Sequence, residues 1–170
     1  MATKDTFSRY GKSFQEGLVQ IIYEDRPFAD QITEVLDVNF LELEYLRIFT
    51  RRIVGYRERY STHPSAEAMI TILRTDLDSE DDVVKQQVRE YFTKITSREL
   101  TDVNYIKEQS LDFCRKQNLK EAMMKSVNLL QSCSFDEISK TINDSLKLGS
   151  DNNFGYDYLA DFEERFVPKH

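Results

Sequence analysis

Turn-forming residues are scarce in this chain. Only five glycines and three prolines interrupt 170 residues, and tryptophan is absent. A β-sheet protein of this length would need many more glycine and proline turns, so the composition favours long helices and an all-α fold. The two cysteines, Cys114 and Cys133, are too few for a disulfide framework and are expected to be buried thiols in a reducing, cytoplasmic setting.

Long apolar runs and a secretory leader are also missing. No stretch approaches the roughly 20 apolar residues that a membrane span needs, and no basic-then-apolar leader opens the chain. Lysine plus arginine total 23 and aspartate plus glutamate total 30, which gives a net charge of −7. We therefore expect no membrane partner, and at best weak binding of single-stranded DNA by this chain alone.

Sequence patterns for catalysis or metal binding are not found. Residues 11–13 (GKS) resemble the end of a phosphate-binding loop, but Thr6 stands where that motif needs a glycine. His63 belongs to no metal-binding pattern and is expected to be a satisfied or solvated imidazole. Paired carboxylates such as Asp81 and Asp82 lie in mixed charged runs, which are typical of a solvated surface. The sequence thus predicts no catalytic, cofactor-binding or metal-binding residue.

Helical periodicity is the main positive signal. Apolar residues recur at helical spacing through residues 7–95, which predicts a compact helical globule over residues 1–98. The clearest stripe steps by three and four residues along one face of a helix of about five turns. Its members are Leu46, Phe49, Ile53, Tyr56 and Tyr60.

Two capping patterns predict where helices of this globule begin. Asn39 with Glu42 resembles a capping box at the start of the aromatic helix. Ser65, which directly follows Pro64, is expected to cap the next helix.

Residues 99–148 contain neither glycine nor proline. A long helix to about Ser132 and a second helix ending at Gly149 must run antiparallel if a short turn joins them, so this region predicts a helical hairpin. Such a hairpin cannot bury both apolar faces alone and is expected to pack on the globule or on another chain. The stripe concerned comprises Leu119, Met123, Val127, Leu130, Ile138 and Ile142.

Residues 149–170 are predicted to be a linker that carries one short amphipathic helix. The linker proper is residues 149–155, and the apolar members of the following segment share one helical face. A helix this short is not stable alone in water, so its aromatic face needs a docking surface. The face consists of Tyr158, Leu159, Phe162 and Phe166.

A cluster of positive charge lies within this acidic chain. Five arginines and one glutamate between residues 47 and 59 give a local charge of +4. The cluster is either a patch for nucleic acid or an acidic partner, or it is paired internally, for example with the acidic run 76–82. Its members are Arg47, Arg51, Arg52, Arg57 and Arg59.

Three segments resemble the N-terminal half of DnaB-type replicative DNA helicases, most closely the hexameric helicases of large tailed bacteriophages. They are residues 63–73 (HPSAEAMITIL), residues 105–130, which begin YIK, and residues 154–166 (FGYDYLADFEERF). The third is the most distinctive, because it is similar to the phage linker pattern G-[HY]-D-[YW]-x-x-D-[FY]-E-x-R-[FW].

The resemblance implies a non-catalytic part of an ATP-driven helicase. The motor domain, which binds ATP and Mg²⁺, would follow the linker and lie outside these 170 residues. The globule and hairpin would self-associate as a dimer or ring to form a collar that binds primase or a helicase loader. Only the full-length ring would bind single-stranded DNA. A phage-encoded protein of this kind would act in the host cytoplasm.

The resemblance also assigns roles to particular residues. The linker helix would dock on the motor domain of a neighbouring subunit, and the hairpin stripe would supply the subunit interface. The stripe could equally be internal core. The docking residues would be Tyr158, Leu159, Phe162, Arg165 and Phe166.

Two other functions remain open at this point. One is a freestanding helical replication adaptor or helicase loader. The other is an enzyme with a carboxylate-based metal site, although no sequence pattern supports such a site.

Overall fold

The computed structural model describes residues 5–132 and 135–150, with only the backbone described at residues 149 and 150. These residues form seven α-helices and two short 3₁₀ helices, Phe7–Tyr10 and Val38–Phe40, and contain no strand. The all-α prediction is confirmed. The α-helices are α1 (Gly11–Glu24), α2 (Arg26–Ile32), α3 (Glu44–Tyr60), α4 (Ala66–Thr75), α5 (Asp82–Thr96), α6 (Val103–Gln131) and α7 (Phe135–Ser150).

Helix α1 lies at the centre of the globular part. Its nine consecutive residues from Phe14 to Ile22 are all buried. It packs against α2 and α3, and α3 in turn packs against α5. Burial of so many neighbouring residues includes polar ones, which must be hydrogen-bonded to be tolerated. Gln20 meets this need by donating to the backbone carbonyl of Arg98 at 2.9 Å.

One predicted cap is confirmed and one predicted capping box is wrong. The Ser65 hydroxyl accepts a hydrogen bond from the Ala68 N–H at 3.1 Å at the start of α4. Helix α3 begins only at Glu44, without a side-chain cap. The capping box fails because the Glu42 N–H donates instead to the side chain of Gln15 on α1, at 2.8 Å.

The first turns of α6 belong to the globular unit. A Cβ atom added at Gly17 of α1 would lie 2.9 Å from Cδ1 of Ile106, so the two helices approach closely there. The Lys107 ammonium is also paired with the Asp25 carboxylate. The chain accordingly divides into two compact units between Ser110 and Leu111, within α6, whereas the predicted boundary after residue 98 falls in the preceding loop.

Helices α6 and α7 occupy the region in which the two arms of a hairpin were predicted. They contain 29 and 16 residues, and α7 ends at Ser150 rather than at Gly149. Residues 133 and 134 between them lie outside the described residues, as do residues 151–170. The antiparallel pairing of α6 and α7 therefore stays a prediction.

Candidate functional site

Exposed apolar side chains are concentrated from the middle of α6 to the start of α7. Among the described residues, six of the ten large exposed hydrophobic side chains fall between Leu119 and Phe135. Met123 and Val127 are 59% and 52% exposed. We call Leu119, Met123, Val127 and Leu130 the α6 stripe; all four are exposed in the single chain.

The other two residues of the predicted subunit interface lie on α7. Ile138 and Ile142 are half-buried there. Met124, which follows Met123 in sequence, and Phe135 at the start of α7 are also exposed, and the prediction did not include them. The α6 stripe is thus exposed among the described residues, and its assignment to a subunit interface or to internal core stays a prediction.

The five arginines of the predicted cluster fall into two groups. Two of them bind other parts of the chain, and three lie at the surface. Arg47 donates to the backbone carbonyls of Leu41 and Glu42 at 2.8 and 2.7 Å. Arg57 is paired with the Asp30 carboxylate. Arg47 thereby holds the segment before α3, and Arg57 joins α3 to α2, so both side chains are engaged within the fold.

The remaining three arginines lie along one side of α3. Arg52 donates to the backbone carbonyl of Asp76 at 2.7 Å, so it contacts the acidic run through the main chain and not through a carboxylate. The guanidinium carbon of Arg59 lies 5.5 Å from the centre of the Tyr60 ring. Arg51 is exposed and makes no hydrogen bond or ion pair with any described residue.

These three arginines border a groove between α3 and α4, which we call the α3–α4 groove. The Tyr56 and Tyr60 rings lie 4.7 Å apart within it. Its volume is about 580 Å³. The groove is lined by Arg51, Arg52, Gly55, Tyr56, Arg59 and Tyr60 of α3 and by Ala68, Thr71, Ile72 and Asp76 on the other side.

The two tyrosines end a stripe whose first part is buried. Leu46, Phe49 and Ile53 are buried in the core, as the helical spacing of the stripe suggests. Tyr60, by contrast, is 55% exposed. Periodicity alone could not find this change, because apolar spacing does not show which turns of a helix are covered by other elements. The nearby arginines were the available signal that this end of the helix faces solvent.

Among the described side chains, buried charge is concentrated at Glu16 of α1. One of its carboxylate oxygens accepts a hydrogen bond from the Tyr45 hydroxyl at 3.0 Å, and the other accepts one from the Lys94 ammonium at 2.8 Å. Burial raises the pKa of Glu16, but these two bonds and the charges of Lys94 and Lys12 outweigh it, so the pKa lies below its ordinary value. Glu16 thus joins α1, α3 and α5 and is structural.

Both ring nitrogens of His63 are also hydrogen-bonded within the chain. Its Nδ1 accepts a hydrogen bond from Arg57 at 2.9 Å, and its Nε2 lies 2.5 Å from the backbone carbonyl of Tyr23, to which it donates. The expectation of a satisfied imidazole agrees with this arrangement. Within residues 5–132 and 135–150, no group of histidine, cysteine, aspartate or glutamate side chains could hold a metal ion. Cys114 is buried, while Cys133 lies outside the described residues.

The predicted docking face of the linker helix cannot be placed. Tyr158, Leu159, Phe162, Arg165 and Phe166 lie outside the described residues. Among the helices that are described, none combines the length and the apolar character required to cross a bilayer. Comparison with protein-family models, with curated proteins and with solved structures finds no match for this chain.

Proposed function

We propose that this chain is the non-catalytic N-terminal part of a phage-type hexameric replicative DNA helicase. In this role it assembles subunits into a collar, binds primase or a helicase loader, and connects to a motor domain through its linker helix. The α6 stripe is the observation that supports the proposal best. Four apolar side chains on one face of a long helix remain in water in the single chain, as expected of a helix that meets a second subunit. The helicase assignment itself rests on the sequence resemblance.

The experiment is to measure the mass of the chain in solution by light scattering over a concentration series. The wild-type chain is compared with the double variant Met123→Glu/Val127→Glu. Because both side chains are exposed, the variant should keep the melting behaviour of the isolated subunit, while self-association weakens by about tenfold or more. The control is Val83→Glu, which places one added carboxylate, against two in the double variant, at an apolar side chain of α5 that is 69% exposed.

The outcomes separate the proposal from its alternative. Concentration-dependent oligomers that the double variant loses and the control keeps would support collar assembly. A wild-type chain that stays monomeric at every concentration would contradict assembly through the α6 stripe. That result would favour a freestanding replication adaptor or helicase loader.

A further inference from the structure

The α3–α4 groove contains a glycine that the packing of the chain does not explain. Gly11 has a positive φ of 85°, and Gly17 makes room for Ile106, so both have a structural reason. A Cβ atom at Gly55 would meet nothing within 4 Å. Glycine in the middle of a helix costs stability relative to alanine. Gly55 therefore keeps the groove open without serving a contact within the described chain.

The charged and aromatic groups around Gly55 define what could bind there. Arg51 and Arg59 are exposed and make no ion pair with any described residue, so their charges are available. Tyr56 and Tyr60 add aromatic surface beside them, and Ile72 adds an aliphatic side chain on the α4 side. A ligand that fits must carry negative charge for the arginines and apolar atoms for the space above Gly55.

An acidic peptide suits these groups better than a nucleic acid does. Asp76 lines the groove on its α4 side and supplies the one carboxylate among its lining residues. A phosphate backbone carries a negative charge at every nucleotide, so a strand following the groove would bring successive charges past the Asp76 carboxylate. A short peptide can place its carboxylates on the arginines and an apolar side chain beside Gly55. The net charge of −7 also disfavours a polyanion.

We propose that the α3–α4 groove binds a short acidic segment of a partner protein, with an apolar side chain of that segment inserted over Gly55. This inference rests on the proposed function, and it names the surface at which the partner protein would bind. It does not depend on the α6 stripe. Peptide binding can therefore fail while assembly succeeds, and the reverse is also possible.

The test is selection from a random short-peptide library displayed on phage, with the full chain as target. We expect enriched peptides to contain both acidic and apolar residues. A labelled peptide of the enriched type is then measured by fluorescence anisotropy. Gly55→Leu, which fills the groove, and Arg51→Gln/Arg59→Gln should each weaken its binding by about tenfold or more.

The matched control is Arg74→Gln, which removes one charge from an exposed arginine of α4 that does not line the groove. The affinity of this control variant for the labelled peptide should stay within about twofold of the wild-type affinity. Melting curves of every variant show whether the chain still folds. The proposal is overturned if no acidic peptide is enriched, or if binding survives Gly55→Leu and the double arginine variant. Tighter binding of a labelled oligothymidine than of any peptide, abolished by the double arginine variant, would identify a nucleic-acid site instead.

Discussion

Replacement of Glu16 by glutamine should destabilise the globular unit in a way that depends on pH. The wild-type carboxylate accepts separate hydrogen bonds from Lys94 and Tyr45, at 2.8 and 3.0 Å. The amide keeps the shape and one acceptor oxygen, and the Tyr45 hydroxyl can turn to accept from the new NH₂ group. What is lost is the charge of the bond to Lys94, since a bond to a charged group contributes about 1.5–3 kcal/mol and a neutral one about 0.5–1.5 kcal/mol.

The net cost should be about 1–2 kcal/mol at pH 7, because the ammonium of Lys94 is half exposed and can be rehydrated. The pKa of Glu16 lies below its ordinary value in the folded chain. The stabilisation is thus fully present above the unfolded pKa of about 4.3 and is lost as the pH falls through the folded pKa. The free-energy difference between wild type and Glu16→Gln should therefore narrow on acidification.

The assay is urea unfolding of both proteins at pH 7 and at pH 3. Glu58→Gln is the matched control, because Glu58 is an exposed side chain of α3. Its replacement should change stability by less than about 0.5 kcal/mol. A Glu16→Gln difference that is the same at both pH values would refute the reasoning. So would a difference no larger than that of the control at pH 7.

Three further substitutions test the packing of the globular unit by thermal or urea unfolding. Asp25→Ala removes both the cap of α2 and the partner of Lys107, and should lower the free energy of unfolding by about 1–2 kcal/mol. A decrease of less than about 0.5 kcal/mol would contradict the capping role. Gly17→Val should cost about 1–3 kcal/mol because its side chain would crowd Ile106. Gly55→Ala should stabilise the chain by up to about 1 kcal/mol, and equal effects at the two glycines would contradict the difference in their surroundings.

Local sequence patterns predicted well what depends on neighbouring residues. The apolar spacing of Leu46, Phe49 and Ile53 gave the buried face of α3, because these positions share one side of a helix. Ser65 was recognised as a cap because its partner, the Ala68 N–H, lies three residues away. Helix type and approximate position follow from interactions within a few turns, which a single sequence displays.

Contacts between distant parts of the chain were not predictable in the same way. The capping box at Asn39 was wrong because Gln15, on another helix, takes the Glu42 N–H. The groove could not be found before the structure placed Ala68 and Ile72 of α4 beside the arginines of α3. Five arginines close in sequence were recognised as a cluster, but which of them are exposed depends on loops and helices that fold back onto α3.

The two candidate surfaces share a physical feature that the buried polar groups of the core do not have. At Gln20 and Glu16, polar groups are buried but satisfied, so their cost is offset within the fold. At Gly55 and Met123 there is no such compensation. Gly55 lowers the stability of its helix, and Met123 leaves an apolar side chain in water. Positions where local stability is sacrificed without a gain inside the chain are where a binding partner can supply the gain. The groove and the stripe are therefore the surfaces at which partners should be sought.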